Sequence, residues 1–165
     1  MSKLTHIDGR GRASMVDVGA KPATRREAVA YGRIALSAAA SRLLREDKVP
    51  KGDVFAAARI AGIQAAKRTG ELIPLCHPLG LDAVEVGFRH AGRTVHIRAV
   101  VRLCGRTGVE MEALTAVSIA ALTFYDMLKA ADKAMVIGPI RLGAKSGGRS
   151  GRYTGKDLPA EGPWR

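Results

Sequence analysis

An α+β fold, an antiparallel sheet with helices packed on one face, is what this sequence predicts, and three observations lead there. The chain has 165 residues, 47% of them hydrophobic, which suits a single domain with a core of its own. Strand-like alternation comes as a hairpin, over residues 83–89 and 94–103, joined by Ala91, Gly92 and Arg93; such runs pair antiparallel. The expected order is helix, helix, hairpin, helix, strand, without the βαβα alternation that a parallel sheet requires.

Taken in order, residues 1–23 are polar and hold Gly9, Gly11, Gly19 and Pro22, so they read as an extended arm with one short strand over 14–18. Thr24 is placed to cap a helix running to about Arg45, with Val29, Leu36, Ala40 and Leu43 on one face. Pro50 closes that region, and Asp53 is the expected cap of a second helix from 54 to about 68. This helix is apolar nearly all round, which predicts burial on more than one side. Thr69 and Gly70 stop it, and Pro74 and Pro78 exclude helix from 73–79. In the hairpin, Val95, Ile97 and Ala99 alternate with His96 and Arg98, so one face is wet. Gly105 and Gly108 frame a turn before a long helix over about 111–131. Its uncharged part, 113–125, is shorter than the ~20 residues a bilayer span takes. A last strand, 134–142, leads into a Gly-rich run. The domain is drawn at 1–151, with a polar tail over 152–165.

Lys and Arg number 27 against 15 Asp and Glu, a net charge of +12. Such a surplus predicts an anionic partner: nucleic acid, a phosphorylated small molecule or acidic lipid. Only 4% of residues are aromatic, which leaves little stacking surface for single-stranded nucleic acid. No apolar stretch follows the first lysine, so no signal peptide is read. Cys76 and Cys104 lack CxxC spacing, which points to free thiols and a cytoplasmic protein. His6, His77, His90 and His96 show no ligand spacing, so no metal site is expected.

Four groups of residues could carry chemistry. Lys145, amid Ser146, Gly147 and Gly148, offers a cation and backbone donors to a phosphate; the run is one residue too long for a GxxxxGK[ST] loop. Asp126 and Lys129 share a helix face, and an ion pair at the end of an uncharged helix suggests a lined cavity in which each tunes the other's pKa. Glu110 and Glu112 flank Met111 at the start of that helix, where they also answer its dipole. Glu112 and Asp126 point the same way but stand roughly 21 Å apart at ~1.5 Å per residue, so a ligand touching both is long or the pocket borrows from another subunit. His77, held between Cys76 and Pro78, reads as a polar contact or a proton-transfer group. Lys51, at a helix start, opposes the dipole, a local misfit that hints at another duty.

Six stretches in order, Lys51-Gly52-Asp53, 58–69, 72–79 with Leu75-Cys76-His77, 107–116 with Glu110-Met111-Glu112, Tyr125-Asp126-Met127 and Lys145-Ser146-Gly147-Gly148, resemble the cyclic pyranopterin monophosphate synthase family of molybdenum cofactor biosynthesis. The resemblance runs from about Leu4 to Gly151. It implies a ferredoxin-like fold and a lyase that converts 3′,8-cyclo-7,8-dihydroguanosine triphosphate to cyclic pyranopterin monophosphate with release of pyrophosphate. It also implies a hexamer, a trimer of dimers, with pockets at a dimer interface. By resemblance, Lys51, Asp126, Lys129 and Lys145 form the catalytic cluster. Leu75, Cys76, His77, Glu110, Met111 and Glu112 fall on substrate-binding segments, and Arg26 lies at the same interface. The expected chemistry is proton transfer by Asp126 and the lysines, with pKa values brought toward neutral, and cationic help for the leaving pyrophosphate. No resident cofactor is expected beyond Mg²⁺ carried by the triphosphate. The tail after Gly151 is more basic than the family pattern. The alternative is a basic RNA-binding α+β protein, favoured by the charge and by five cations without an acid from Arg141 to Lys156.

Overall fold

A computed structural model describes residues 10–156, 158–159 and 162–165. His6 and the rest of the stretch read for a signal peptide lie outside these. Ten elements follow one another: β1 (Thr24–Ala35), α1 (Ala38–Arg45), α2 (Val54–Lys67), α3 (Thr69–Leu72), β2 (Ala83–Ala91), β3 (Thr94–Gly105), α4 (Glu110–Leu128), β4 (Val136–Ile137), β5 (Arg141–Ser146) and β6 (Tyr153–Thr154). The strands form one antiparallel sheet in the order β2-β3-β1-β5-β6, with β4 paired to β1. Counting β1, β2, β3 and β5 alone, the chain runs βαββαβ with β1 and β3 central, the ferredoxin-like arrangement.

The first expected helix is half strand. From 24 to 35 the chain alternates: Ala28, Ala30 and Ile34 are sealed against the helices while Tyr31 and Arg33 face away. Alanine favours helix, but burial on a pleated face overrides that preference. Gly32 sits where a Cβ would lie 2.5 Å from Val117 Cγ1 of α4, so β1 and α4 pack more closely than any side chain permits. Helix begins only after Ser37, whose Oγ accepts from Ala40 N. The strand expected over 14–18 is absent; this segment runs irregularly beside residues 75–79.

The second helix starts where expected, Asp53 Oδ1 accepting from Ala56 N at 3.0 Å. It buries one main face only: Ala58, Gly62, Ala65 and Ala66 are covered, whereas Ile60 is 57% exposed. The hairpin is as predicted, and α4 starts and stops within three residues of expectation. By length and apolarity α4 could cross a membrane, yet half of it is buried within the fold. Its core side chains join β1, β3 and α2 around an edge-to-face cluster of Phe55, Phe88 and Phe124. The last expected strand is two strands, β4 and β5, separated at Gly138-Pro139.

Helices α2 and α4 therefore cover one face of the sheet. The other face, carrying Glu27, Tyr31, Arg33, Glu85, Arg89, His96, Arg98 and Arg102, has no helix on it. Arg102 binds Glu27 at 2.7 Å and also pairs with Glu85 across three strands.

Candidate functional site

Helix α4 carries a cluster at each end. At its N-terminal end lie two adjoining cavities. The larger, about 450 Å³, is lined by Lys21, Arg26, Arg106, Lys145 and Arg149, together with Gly108, Glu110, Gly147 and Ser150. The smaller, about 260 Å³, is lined by Leu75, Cys76, His77, Met111 and Glu112, with Val16 and Val18 of the arm. Lys21, Thr107, Gly108 and Glu110 border both. Five cations against two carboxylates, Glu27 and Glu110, leave the hollow net positive and suited to an anion.

Local structure fixes these side chains. Lys145, on β5 opposite Ala28, reaches the first turn of α4, where its Nζ donates to Glu110 Oε1 at 2.8 Å and to Ser150 Oγ at 3.1 Å. Gly147 and Gly148 take φ of +91° and +73°, a left-handed pair that glycine adopts without strain. The turn they make lies against Arg26, whose guanidinium occupies the space a Cβ on Gly148 would need. Arg26 is anchored by the carbonyls of Gly105 and Arg106. His77 Nε2 donates to the Val16 carbonyl at 2.9 Å, which ties the Pro-flanked loop to the arm.

Glu112 is the acid that stands out. It is 3% exposed, and burial, with a smaller push from neighbouring Glu110, raises its pKa to about 7. A carboxyl at that value can give or take a proton at neutral pH. Burial and then Glu112 push the Cys76 thiol up, so it stays protonated, unsuited to a metal or a nucleophile. Among the described residues no three His, Cys, Asp or Glu side chains converge on a point that would hold a metal.

The second cluster is at the C-terminal end of α4. Asp126 Oδ1 binds Lys129 Nζ and Oδ2 binds Lys51 Nζ, both at 2.7 Å, while Lys51 Nζ also donates to the Asp126 carbonyl at 2.9 Å. This is a corrected expectation. The Asp126 side chain is 56% exposed. Its carboxyl is driven down to about 2 by the hydrogen bonds from Lys129 and Lys51. Lys129 is held above the usual lysine range by Asp126. In the single chain these pKa values move away from neutral, because solvated opposite charges stabilise each other's ionised forms.

The structure thus gathers Lys51, Asp126 and Lys129 in one place, and Lys145, Arg26, Glu110, Glu112, Met111, Leu75, Cys76 and His77 in another. Lys145 does not join the other three within one chain. Lys21, Arg106 and Arg149 line the larger cavity without having been singled out in the sequence. Arg149 lay within the acid-free run from Arg141, and Arg106 in the turn framed by Gly105 and Gly108. Nothing local marks Lys21.

The sequence matches the MoaC family over residues 15–148. A protein of Pelotomaculum thermopropionicum named cyclic pyranopterin monophosphate synthase is 58% identical over 94% of this chain and 93% of its own. Equally named proteins of Roseiflexus sp. and Parvibaculum lavamentivorans are 61% and 55% identical, each over 93% of this chain and 98% of theirs. The family match spans β1 to β5 and stops short of β6, and the chain belongs to the MoaC family.

Proposed function

We propose that this chain is a cyclic pyranopterin monophosphate synthase, a lyase of molybdenum cofactor biosynthesis acting on 3′,8-cyclo-7,8-dihydroguanosine triphosphate. The observation that carries the reading is the cation-lined cavity set against a buried carboxyl whose pKa is about 7. The reaction needs both. As the cyclic phosphate closes, a sugar hydroxyl oxygen displaces pyrophosphate from the α-phosphorus and gives up its proton. Lys145, Arg26, Lys21, Arg106 and Arg149 supply fixed positive charge for the leaving pyrophosphate. Glu112 and His77 stand where the ring system would enter the smaller cavity, and Glu112 exchanges protons there. Mg²⁺, in this reading, arrives with the substrate's phosphates, and the enzyme works in the cytoplasm.

Two chains build each site in this proposal. Residues Met111, Ser118, Leu122 and Lys129 lie on one stripe of α4, and Leu122 is 53% exposed. If two copies pack α4 against α4 antiparallel about a twofold near Ser118, Asp126 of each falls opposite residue 110 of the other. Lys129 then falls opposite Thr107, on the shared wall of the two cavities. Such packing brings helix axes within about 8–10 Å, close enough to exclude water from the Asp126 triad and move its pKa values. A trimer of such dimers is the proposed hexamer. Incubation with the cyclised substrate tests the activity: equimolar pyrophosphate and cyclic pyranopterin monophosphate are expected. Tight, sequence-selective RNA binding without turnover would favour the RNA-binding alternative.

A further inference from the structure

Beyond β6, Leu158 and Pro159 lie on the β5 side of the sheet face that carries no helix, and Trp164 and Arg165 are held on its β2 side. On the β5 side, Tyr153 and Thr154 pair with Lys145 and Ala144, and Gly155 N donates to Gly143 O at 2.6 Å. Leu158 packs over Gly143, and Pro159 reaches the hollow bordered by Tyr31 and Arg141. On the far side, Arg165 adds itself to the outer edge of β2: Phe88 N donates to Arg165 O at 2.9 Å and Arg165 N to Phe88 O at 3.1 Å. Trp164 fills the notch over Gly87, where a Cβ would come within 3.0 Å of the Trp164 Cβ. Its ring centroid is 6.0 Å from that of Tyr31, with Arg89 above it, and the Arg165 guanidinium stands 3.9 Å from the Phe55 ring centroid.

A two-residue strand such as β6 is marginal on its own, so it depends on what holds the residues around it. Fastening residues 164–165 to β2 limits how far Tyr153–Gly155 can move from β5. What β6 holds matters: between Lys145 and Tyr153 lies the loop carrying Gly147, Arg149 and Ser150, one wall of the larger cavity, and Ser150 itself receives a hydrogen bond from Lys145.

We propose that Trp164 and Arg165 form a clasp on the Gly87–Phe88 edge that positions the 147–152 loop, and thereby sets the affinity of the larger cavity for phosphate-bearing ligands. Trp164 is a positioning residue here, acting through β6. The ligand half of this proposal rests on the anion-site reading given above; the clasp half does not.

The test uses the intact protein and inorganic pyrophosphate as probe. Trp164→Ala should speed hydrogen exchange at the Gly155 amide by roughly tenfold or more, since local opening sets that rate, and weaken pyrophosphate binding by calorimetry by about three- to tenfold. Trp164→Phe, which keeps an aromatic ring in the notch, should restore both. Gly87→Thr, which fills the notch from the sheet side, should reproduce the loss. Because Trp164 is the sole tryptophan of the chain, saturating pyrophosphate should also change its emission, by the reciprocity of coupled sites. Unchanged exchange in Trp164→Ala overturns the clasp. Faster exchange with unchanged affinity overturns its link to the cavity. Failure of the intact chain to bind pyrophosphate defeats the anion-site reading instead, and the exchange rates still decide the clasp.

Discussion

Glu112 and Asp126 are both carboxylates of α4, and their surroundings send them in opposite directions. Ionising Glu112 costs the fold, since burial raises its pKa from 4.5 to about 7. The folded state therefore binds a proton that the unfolded chain releases, and stability should decline as pH rises from about 4.5 through about 7, by roughly 3 kcal/mol in all. Glu112→Gln should abolish that decline, as denaturant unfolding at about pH 5 and about pH 8 would show. Asp126 has the opposite sign: its carboxylate stays ionised down to about 2, so its contribution is lost only in strong acid. Asp126→Asn removes a proton acceptor and the partner of two lysines, and turnover should fall by roughly 10²–10⁴. The melting temperature of the separate chain should hardly move, because within one chain the pairs are exposed. The sequence made the Asp126–Lys129 pair legible, since their spacing of three forces contact on a helix. It concealed the role of Glu112, because a first-turn glutamate looks like an answer to the helix dipole until tertiary packing shuts out solvent. Lys51 pairing with Asp126 was likewise a product of the fold, not of local spacing.

Elements were legible where local chemistry and tertiary demand agreed. Asp53 followed by an apolar run gives α2, and the hairpin alternates cleanly around Gly92. Asp53→Ala should lose the bond to Ala56 N and destabilise the protein by about 1 kcal/mol, visible as a lowered denaturation midpoint at unchanged slope. β1 was misread because its buried positions are small. Alanine is tolerated on any side of a helix, so Ala28 and Ala30 do not contradict a helical face of Val29, Leu36, Ala40 and Leu43, and only the partner strands β3 and β5 decide against it. That smallness has its own consequence at Gly32, where Val117 leaves no space for a side chain. Gly32→Val should force β1 and α4 apart and destabilise by roughly 1–3 kcal/mol, which thermal unfolding would register. Residues 134–142 were read as one strand because their composition suits one; the Gly138-Pro139 step divides them, and Gly138 instead bonds back to Arg33 through its N and O.

For the whole molecule, the proposed site residues fall at the two ends of one helix, and a working pocket in this reading needs two molecules. Light scattering should find an active species well above the 17.5 kDa of one chain, and Leu122→Asp, on the outward stripe of α4, should lower both mass and activity. Asp126→Asn and Lys145→Ala, each inactive alone, should recover part of their turnover when mixed and allowed to exchange subunits; no recovery would overturn the two-chain pocket. The fold class could be read from the order of elements, whereas this division could not, since residue spacing gives distance along a helix and not which neighbour faces it. Because α4 is rigid and bears both clusters, it also acts as a gauge. One residue inserted near Ser118 would swing everything beyond it by about 100° and advance it by about 1.5 Å, leaving the core interface with β1 and the outward stripe unable to be satisfied together. The length of α4 is therefore constrained more tightly than its residue identities: a substitution changes one contact, whereas an insertion would break the register between the two clusters that the proposed two-chain pocket brings together.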